Sequence, residues 1–396
     1  MIWILPALLP WIAVAIYMAF LIREPRPLPP YLPEPASPDA DSPRKPLVSI
    51  IVPARNEARV IERCVGSLTR LEGAALGIHH EIIVVDDDST DDTGELVTAL
   101  NREAATSLRL LAGEPLPEGW FGKPWACIQG ARDARGDVFL FTDADTVHEP
   151  TLLIRALAAL REDDLDALSL MGRQEMGTFA ERLVQPQIFA LIGMRFRGLD
   201  RPVDKSRRRH AIANGQFILV GREVYEAIGG HAAVRGEVVE DLRLAQEIVD
   251  AGYRLGVRLG KDVFSTRMYT SLGEIVDGWT KNVATGARQA AGNLAPVALP
   301  GILILLLGIW LLPPAALLMG IAGGWGGAIL VWAATTTLIC ALIQGGIYHR
   351  LGSRWWMGAI YPAGTAVVAF ILLRSWIRGD RRIEWKGRRY GGGREG

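Results

Sequence analysis

Residues 137–146 read DVFLFTDADT, a short apolar run that leads directly into two carboxylates one residue apart, Asp143 and Asp145. Alternate residues of a strand share a face, so we expect both side chains to point together into a crevice at the strand end. Carboxylates leave water only at a large cost unless a cation compensates them. The segment itself contains no His or Cys, which favours a hard cation, Mg²⁺ or Mn²⁺, that shares its coordination with substrate phosphates. A solvated turn before a helix starting near Pro150 is the alternative for this pair taken alone.

Strand and helix patterns alternate from Leu47 to about Gly260. Four apolar strand patterns, LVSIIVP, EIIVVDD, LRLLAG and DVFLFTDAD, are separated by segments whose apolar residues have helical spacing. Continuous apolar strands between helices are typical of an α/β fold with a parallel sheet covered on both faces. Such sheets bind ligands at the carboxyl ends of their strands, so the polar residues that follow these strands are candidate site residues.

The polar residues after the first two strands suit a nucleoside. Asp86 and Asp87 follow the second strand, where their carboxylates can accept hydrogen bonds from a base N–H or a ribose hydroxyl. Residues 89–92 are explained as the N-cap of the next helix. Glu57, after the first strand, either caps its own helix start or helps to hold the nucleoside.

Glu240 and Asp241 stand at the predicted start of a helix that ends at Gly252. Acids in a first helical turn are ordinary partners of the helix dipole. In the alternative interpretation, one of them is a general base that removes a proton from an acceptor hydroxyl. Repulsion between the adjacent carboxylates raises one pKa, whereas the helix N-terminus lowers it.

Lys123 precedes another predicted helix, in EGWFGKPWA. The lysine and the helix N-terminus could receive a diphosphate, and a solvated loop lysine is the alternative. The chain lacks G-x-G-x-x-G after its first strand and lacks G-x-x-x-x-G-K-[ST]. These absences argue against an ordinary dinucleotide site or a P-loop.

Composition divides the chain into membrane and water-exposed parts. Residues 1–22 are an apolar stretch of membrane length without a cleavage site, which predicts an uncleaved transmembrane anchor. Residues 23–46 are rich in proline and predict a linker, and residues 47–293 form the expected catalytic domain. Arg23 and Arg26 place that domain in the cytoplasm by the positive-inside rule.

The C-terminal part holds three apolar segments, near 298–320, 327–346 and 356–374, within a predicted membrane region 294–377. The tail 378–396 is strongly basic and should therefore lie inside. A third full span would place it outside, so we expect the last segment to be re-entrant.

The overall composition excludes some classes of protein. The 43 basic and 43 acidic residues give a net charge of zero, which argues against nucleic-acid binding. Cys64, Cys127 and Cys340 lie far apart and do not suggest a disulfide framework or a zinc site. Residues 177–209 combine an apolar middle with a basic end. This pattern predicts either an interfacial helix on an anionic bilayer or a core helix followed by a solvated loop.

Together these motifs resemble the family 2 glycosyltransferases. The matching segments are VPARNE (52–57), VDDDSTD (85–91), DAD (143–145) and VED (239–241), in that order. A nearer likeness is to bacterial membrane-bound members linked to hopanoid and carotenoid glycosylation, and a more distant one to ceramide glucosyltransferase. It is carried by LPEGWFGKPWACIQGA, NGQFILVGREVYEAIGGH, DGWTKN and IEWKGRRY.

The resemblance implies a GT-A fold, which is Rossmann-like with a mostly parallel sheet and helices on both faces. It also implies transfer of a sugar from a nucleotide sugar to a membrane lipid with inversion at the anomeric carbon. The resemblance suggests UDP-glucose as the donor. Asp241 would be the catalytic base with support from Glu240, and Asp145 with Asp143 would bind the diphosphate through the metal ion. The expected nucleotide-sugar residues are Pro53, Ala54, Arg55, Glu57, Asp86, Asp87, Lys123 and Asp143.

The chain departs from the family at one motif. Related enzymes have a Q-x-x-R-W segment that braces acceptor and diphosphate, and in IVDGWTKN only Trp279 matches it. Arg388 or Arg389 of the tail is expected to replace the missing arginine. Asn214, Gly215 and Trp385 are the other expected contacts of acceptor or diphosphate.

Two rival functions remain beside a lipid glycosyltransferase. A processive polysaccharide synthase would need a full Q-x-x-R-W and more spans for a channel. A catalytically silent membrane scaffold with the same fold would be expected to have lost acids that this chain keeps. The expected partners are therefore a nucleotide sugar, a lipid acceptor such as a hopanoid, carotenoid, glycerolipid or sphingolipid-like molecule, and the bilayer.

Overall fold

The computed structural model describes residues 4–17, 25–30, 47–103, 107–196, 199–291, 294–378, 382–385 and 388–391. The strands are β1 (Leu47–Ala54), β2 (His79–Asp86), β3 (Ser107–Ala112), β4 (Val138–Phe141), β5 (Thr146–His148), β6 (Ala167–Met171), β7 (Arg173–Gln174), β8 (Ile218–Gly221), β9 (Leu255–Leu259), β10 (Phe264–Thr266), β11 (Arg382–Trp385) and β12 (Arg388–Gly391). The α-helices are α1 (Ile4–Ile16), α2 (Ile61–Leu68), α3 (Thr93–Glu103), α4 (Gly122–Asp133), α5 (Leu152–Glu162), α6 (Phe179–Arg195), α7 (Arg222–Ala227), α8 (Glu240–Asp250), α9 (Leu272–Ala291), α10 (Ala295–Leu306), α11 (Leu312–Ala322), α12 (Ala328–Arg350) and α13 (Tyr361–Arg378).

The main sheet has the strand order β3-β2-β1-β4-β8-β6-β9. Its neighbours are parallel except at β8, which runs antiparallel to both β4 and β6. Successive residues of β1 face opposite sides: Ile50 belongs to one apolar cluster and Ile51 to another, and both are fully buried. The continuous apolar strand patterns arise because both faces of the sheet are covered. The mostly parallel sheet with helices on both faces is thus confirmed.

The acidic DAD segment lies in a turn. Strand β4 ends at Phe141, and a smaller sheet with the order β5-β10-β7 begins at Thr146. The prediction that strand alternation orients Asp143 and Asp145 was therefore wrong, because the chain leaves the main sheet before it reaches them. The turn connects the two sheets and carries both aspartates to the carboxyl end of the main sheet.

Part of the predicted linker packs on the catalytic domain. Leu259 of the edge strand β9 donates its N–H to the carbonyl of Arg26 (2.8 Å) and accepts the N–H of Leu28 (2.9 Å). The Leu28 side chain is 3% exposed and belongs to the core. This stretch satisfies the open hydrogen bonds of an edge strand and does not act as a free spacer. The rest of 23–46 lies outside the described residues.

Three helices among the described residues are long and apolar enough to cross a membrane: Val297–Ala322, Ala328–Arg350 and Trp355–Arg378. They correspond to the three predicted apolar segments. Of the predicted anchor, the structure describes residues 4–17, and its apolar helix Ala7–Ile16 is shorter than a span.

The first of these helices bends around a proline. Between α10 and α11 the backbone widens into a π-helical turn at Leu307–Leu311, just before Pro313. Proline has no N–H to donate to the carbonyl four residues earlier, that of Ile309. This carbonyl accepts instead from the indole of Trp11 (2.8 Å) and the thiol of Cys340 (3.4 Å). Through Trp11 and Cys340, the carbonyl oxygen that proline leaves unpaired forms hydrogen bonds with α1 and α12.

Both ends of residues 351–378 contact the catalytic domain. Near the beginning, the Ser353 hydroxyl donates to the Arg182 carbonyl of α6 (3.1 Å). Near the end, Arg374 pairs with Asp277 of α9 (2.6 Å). These two contacts tie both ends of the segment to helices of the catalytic domain.

Candidate active site

One cavity of about 2160 Å³ opens at the carboxyl end of the sheet. It brings together predicted residues that lie up to 226 positions apart, from Pro53 to Trp279, whereas Ala54, Asp86 and Asp87 are not part of its lining. The predicted residues that line it are Pro53, Arg55, Glu57, Lys123, Asp143, Asp145, Asn214, Gly215, Glu240, Asp241 and Trp279.

The loops after β1 and β2 form one unit. Asn56 adopts a left-handed conformation (φ 53°), and its side-chain oxygen accepts the backbone N–H of Thr90 (2.8 Å). Arg55 donates to the carbonyl oxygens of Asp87 and Asp88, the latter at 2.6 Å. These bonds join the two segments predicted to hold a nucleoside into a single surface.

Asp86 and Asp87 have different surroundings. An Asp86 carboxylate oxygen accepts the N–H of Ser89 (3.0 Å) and so holds the loop. The Asp87 side chain is almost fully buried, and its Oδ2 lies 2.5 Å from Nη1 of Arg388 in β12. Its Oδ1 has no hydrogen-bond partner among the described residues. Burial raises the pKa of Asp87 against the opposing effect of Arg388. An orphaned, buried acceptor is a suitable partner for a ligand N–H.

The structure thus places Arg388 beside Asp87, and its expected contact with the diphosphate stays a prediction. The side chains of Trp385 and Arg389 lie outside the described residues, so their predicted contacts stay predictions. The backbone of both residues belongs to the β11–β12 hairpin.

A buried polar network holds the acidic turn. The Asp143 carbonyl accepts from the Thr146 hydroxyl (2.6 Å), and the Thr142 hydroxyl donates to the Gln216 carbonyl (2.8 Å). Nε2 of the buried His148 lies 3.0 Å from the Thr142 hydroxyl. Burial lowers the pKa of His148 to about 3, so its ring is neutral. Sequence reasoning missed this network, whose only signal was a cluster of polar residues inside apolar strands.

The acidic turn fits a hard cation. Asp143 and Asp145 both face the cavity, but no group of three or more His, Cys, Asp or Glu residues that could hold a metal exists in the part of the chain that the structure describes. Two carboxylates that line a cavity, one of them also paired with Lys123, supply oxygen ligands of the kind that Mg²⁺ or Mn²⁺ completes with substrate phosphates and water.

Lys123 lies between two motifs. Its ammonium is 2.7 Å from Asp143 Oδ1 and 2.8 Å from Glu240 Oε1. Burial opposes the charged form, but Asp143, Glu240 and Asp241 outweigh it and hold the pKa of Lys123 well above its ordinary value. The solvated-loop alternative is therefore wrong for this lysine, which is a fixed cation of the site.

Asp241 is held by two backbone groups. Its Oδ2 accepts the N–H of Gly215 (2.8 Å), and its Oδ1 accepts the N–H of Leu242 (2.7 Å). Burial and the nearby Glu240 raise the pKa of Asp241 to about 6, although Lys123 acts in the opposite direction. Burial also acts on Glu240, but its pair with Lys123 outweighs that effect and lowers its pKa. Neighbouring carboxylates with pKa values pushed apart suit separate roles in proton transfer.

Gly215 makes the approach to Asp241 possible. A Cβ at this position would lie 2.9 Å from Asp241 Oδ2 and 3.0 Å from Lys123 Nζ. Asn214, the other residue of this loop that the sequence predicted as a contact, donates its side-chain amide N–H to the Leu170 carbonyl (2.9 Å). Asn214 therefore fixes the loop, while Gly215 supplies its backbone to the carboxylate.

Arg267 is a further cavity residue that sequence reasoning missed. Its guanidinium pairs with the buried Glu181 at 3.0 Å, and its backbone N–H reaches the Asp145 carbonyl at 3.4 Å. No motif marks Arg267, and only the pairing of β10 with β5 brings it beside the acidic turn. Trp279, which the sequence did indicate, is 5% exposed and packs against Phe189 with ring centroids 5.5 Å apart.

Comparisons with known proteins agree with this arrangement. Residues 49–229 match the family model described as glycosyl transferase family 2. The chain is 26% identical over 371 residues to a protein of Staphylococcus aureus (strain MRSA252) named 4,4'-diaponeurosporenoate glycosyltransferase, covering 87% of this chain and 88% of the relative. The protein of the same name from strain USA300 is 25% identical over 365 residues, with the same shares covered.

One solved structure supports the fold. A mannosyltransferase from Pyrobaculum calidifontis, in complex with GDP-Man and Mn²⁺, matches with a TM-score of 0.51 at 20% identity, over 93% of this chain and 97% of its own. This likeness bears on the fold alone. The chain has the predicted GT-A fold and is a glycosyltransferase, of which residues 49–229 match the glycosyl transferase family 2 model.

Proposed function

We propose that this glycosyltransferase moves a sugar from a nucleotide sugar, with UDP-glucose as the default donor, to a hydroxyl of a membrane lipid with inversion at the anomeric carbon. The observation that carries the proposal is the placement of Asp241, whose pKa is raised to about 6, in one cavity with the acidic turn. The names of the Staphylococcus aureus relatives point to an apolar, carotenoid-like acceptor.

Asp241 is the general base in this proposal. Two backbone N–H groups fix its carboxylate, so its position does not depend on a flexible partner. It takes the proton of the acceptor hydroxyl as the oxygen attacks the anomeric carbon, and the nucleoside diphosphate leaves from the opposite face. Glu240 supports the base by holding Lys123 beside it. A single displacement requires no nucleophile from the enzyme.

The donor is held at three places. Pro53, Ala54, Arg55, Glu57, Asp86 and Asp87 surround the nucleoside, and Asp87 Oδ1 accepts a base N–H. Lys123 lies where it can meet the diphosphate, next to Asp143. Bound by Asp145 and Asp143, Mg²⁺ or Mn²⁺ would supply positive charge to the departing diphosphate.

We further propose that residues 47–293 face the bacterial cytoplasm at the inner membrane, after the anchor 1–22 and the linker 23–46. Within 294–377, the helices Val297–Ala322 and Ala328–Arg350 cross the bilayer, and the last segment is re-entrant. The contacts of Ser353 with α6 and of Arg374 with α9 support this topology, because they keep both ends of that segment on one side. The tail 378–396 then lies in the cytoplasm, as its charge requires.

Transfer of label from UDP-glucose into extracted membrane lipids tests the proposal. We expect metal-dependent labelling of a lipid by the wild type, and a loss of about 10²- to 10⁴-fold in Asp241→Asn with UDP binding retained. Label that appeared only in a long water-soluble polymer would favour a polysaccharide synthase. A wild type that neither binds UDP nor transfers sugar would contradict the proposal and favour the silent scaffold.

A further inference from the structure

The cavity extends well beyond the carboxylates. At about 2160 Å³ it exceeds the roughly 300–1,000 Å³ of an ordinary small-molecule pocket, so it has room for a second substrate beside a nucleotide sugar. The apolar part of its wall comes from four helices and includes Phe189 of α6, Trp279 of α9, Leu299 and Ile302 of α10, and Val368 and Ile371 of α13.

This apolar wall includes residues of the membrane region. Leu299 and Ile302 belong to the membrane-length helix Val297–Ala322, and Val368 and Ile371 belong to Trp355–Arg378. The same cavity is lined by Asp241 and by the acidic turn. A single ligand can therefore touch the proposed base at one end and side chains of the membrane-length helices at the other.

We propose that the apolar wall of α6, α9, α10 and α13 binds the hydrocarbon chain of the acceptor, which is a lipid alcohol with one long apolar chain that ends in the reactive hydroxyl. The chain enters from the leaflet that faces the catalytic domain, and its hydroxyl stops at Asp241. This inference rests on the proposed function and adds to it the place and the kind of the acceptor. Apolar contact with a long chain supplies binding energy that does not depend on the sugar donor.

Glycines provide a way to fill the cavity without disturbing the protein. Gly193 of α6 and Gly286 of α9 both line it, and a Cβ at either position would meet no atom within 4 Å. Gly301 of α10 also has open space around its Cβ position but is not part of the cavity lining. Leucine at the first two positions adds bulk to the proposed groove, whereas leucine at Gly301 adds the same bulk outside it.

Two acceptors separate chain binding from chemistry. Transfer from labelled UDP-glucose is measured to an isoprenoid alcohol of about thirty carbons in detergent micelles and to a soluble alcohol of about five carbons. For Gly193→Leu and Gly286→Leu, we expect transfer to the long alcohol to fall at least tenfold, with transfer to the short alcohol and UDP binding unchanged. Gly301→Leu should match the wild type with both acceptors.

A photoreactive long-chain alcohol gives a readout that needs no turnover. We expect it to label α6 and α9 in the wild type and in Asp241→Ala, and to label Gly286→Leu much less. Unchanged long-chain transfer and labelling in both leucine variants would overturn the inference while leaving the proposed function intact. A wild type that bound no UDP and glycosylated neither alcohol would instead contradict the proposed function and this inference together.

Discussion

Nη1 of Arg388 lies 2.5 Å from Oδ2 of Asp87 and joins the C-terminal hairpin to the loop after β2, 301 positions away in the chain. The Asp87 side chain is 3% exposed and that of Arg388 is 17% exposed, so water screens the pair little. The pair thereby links the tail to the proposed nucleoside site. Burial raises the pKa of Asp87, and the guanidinium of Arg388 opposes this effect.

Replacing Arg388 with alanine should weaken the binding of UDP. Without the guanidinium, the pKa of Asp87 rises further, and a protonated carboxyl is a poorer acceptor for a base N–H. We expect about a tenfold loss of affinity, equivalent to about 1.4 kcal/mol, in isothermal titration with UDP. Arg388→Lys should recover part of it, because the charge remains but the planar contact does not. Tighter UDP binding in Arg388→Ala would show instead that the arginine competes with the base.

The activity should depend on pH through Asp241. A general base acts only when it is deprotonated, and the pKa of Asp241 is raised to about 6. We therefore expect kcat/KM to fall as the pH drops through about 6 and to be level above it. Lys123 lowers this pKa, so Lys123→Met should move the acidic limb to higher pH as well as reduce the rate. A pH profile of Lys123→Met with an unmoved acidic limb would argue that another group limits the reaction at low pH.

The fold and the identity of the motifs were predictable because each has a local signal. Continuous apolar strands predict a sheet covered on both faces, and the acids after β2 and β4 follow directly in the chain. The orientation of Asp143 and Asp145 was not predictable from strand alternation, since it depends on where β4 ends. The position of Lys123 between Asp143 and Glu240 depends on three elements that meet only in the folded chain.

The same limit explains the tail and Arg267. The family resemblance implied that a tail arginine reaches the catalytic domain, but the partner of Arg388 is set by how the β11–β12 hairpin docks. Arg267 has no motif, and its place beside Asp145 follows from pairing between β10 and β5. Long-range docking of this kind leaves no local trace in the sequence.

Gly215→Ala should impair catalysis more than folding. The added Cβ would lie 2.9 Å from Asp241 Oδ2, so the carboxylate must move away from the Gly215 N–H that positions it. Because the misplaced group is the proposed base, we expect kcat to fall at least tenfold, while KM for UDP-glucose changes little. Gly221→Ala is the matched control, since its Cβ meets only Val224 at an ordinary 3.8 Å. Equal kcat values for the two variants would count against the role of Gly215.

Trp11→Phe should destabilise the membrane region without affecting the active site. The variant keeps an aromatic ring in contact with Trp332, but it removes the indole N–H that binds the Ile309 carbonyl at the bend before Pro313. A neutral hydrogen bond of this kind contributes about 1 kcal/mol, and the cost of leaving a carbonyl unpaired is reduced here because the Cys340 thiol still reaches it at 3.4 Å. We therefore expect a modest fall in the Tm of the detergent-solubilised protein in Trp11→Phe.

Combining Trp11→Phe with Cys340→Ala should lower the Tm by more than the sum of the two single variants. A fall larger than the sum is expected when two donors share one acceptor, because either donor alone can compensate for loss of the other. Strictly additive changes in Tm would mean that the two side chains stabilise the bend independently, through packing and not through the freed carbonyl.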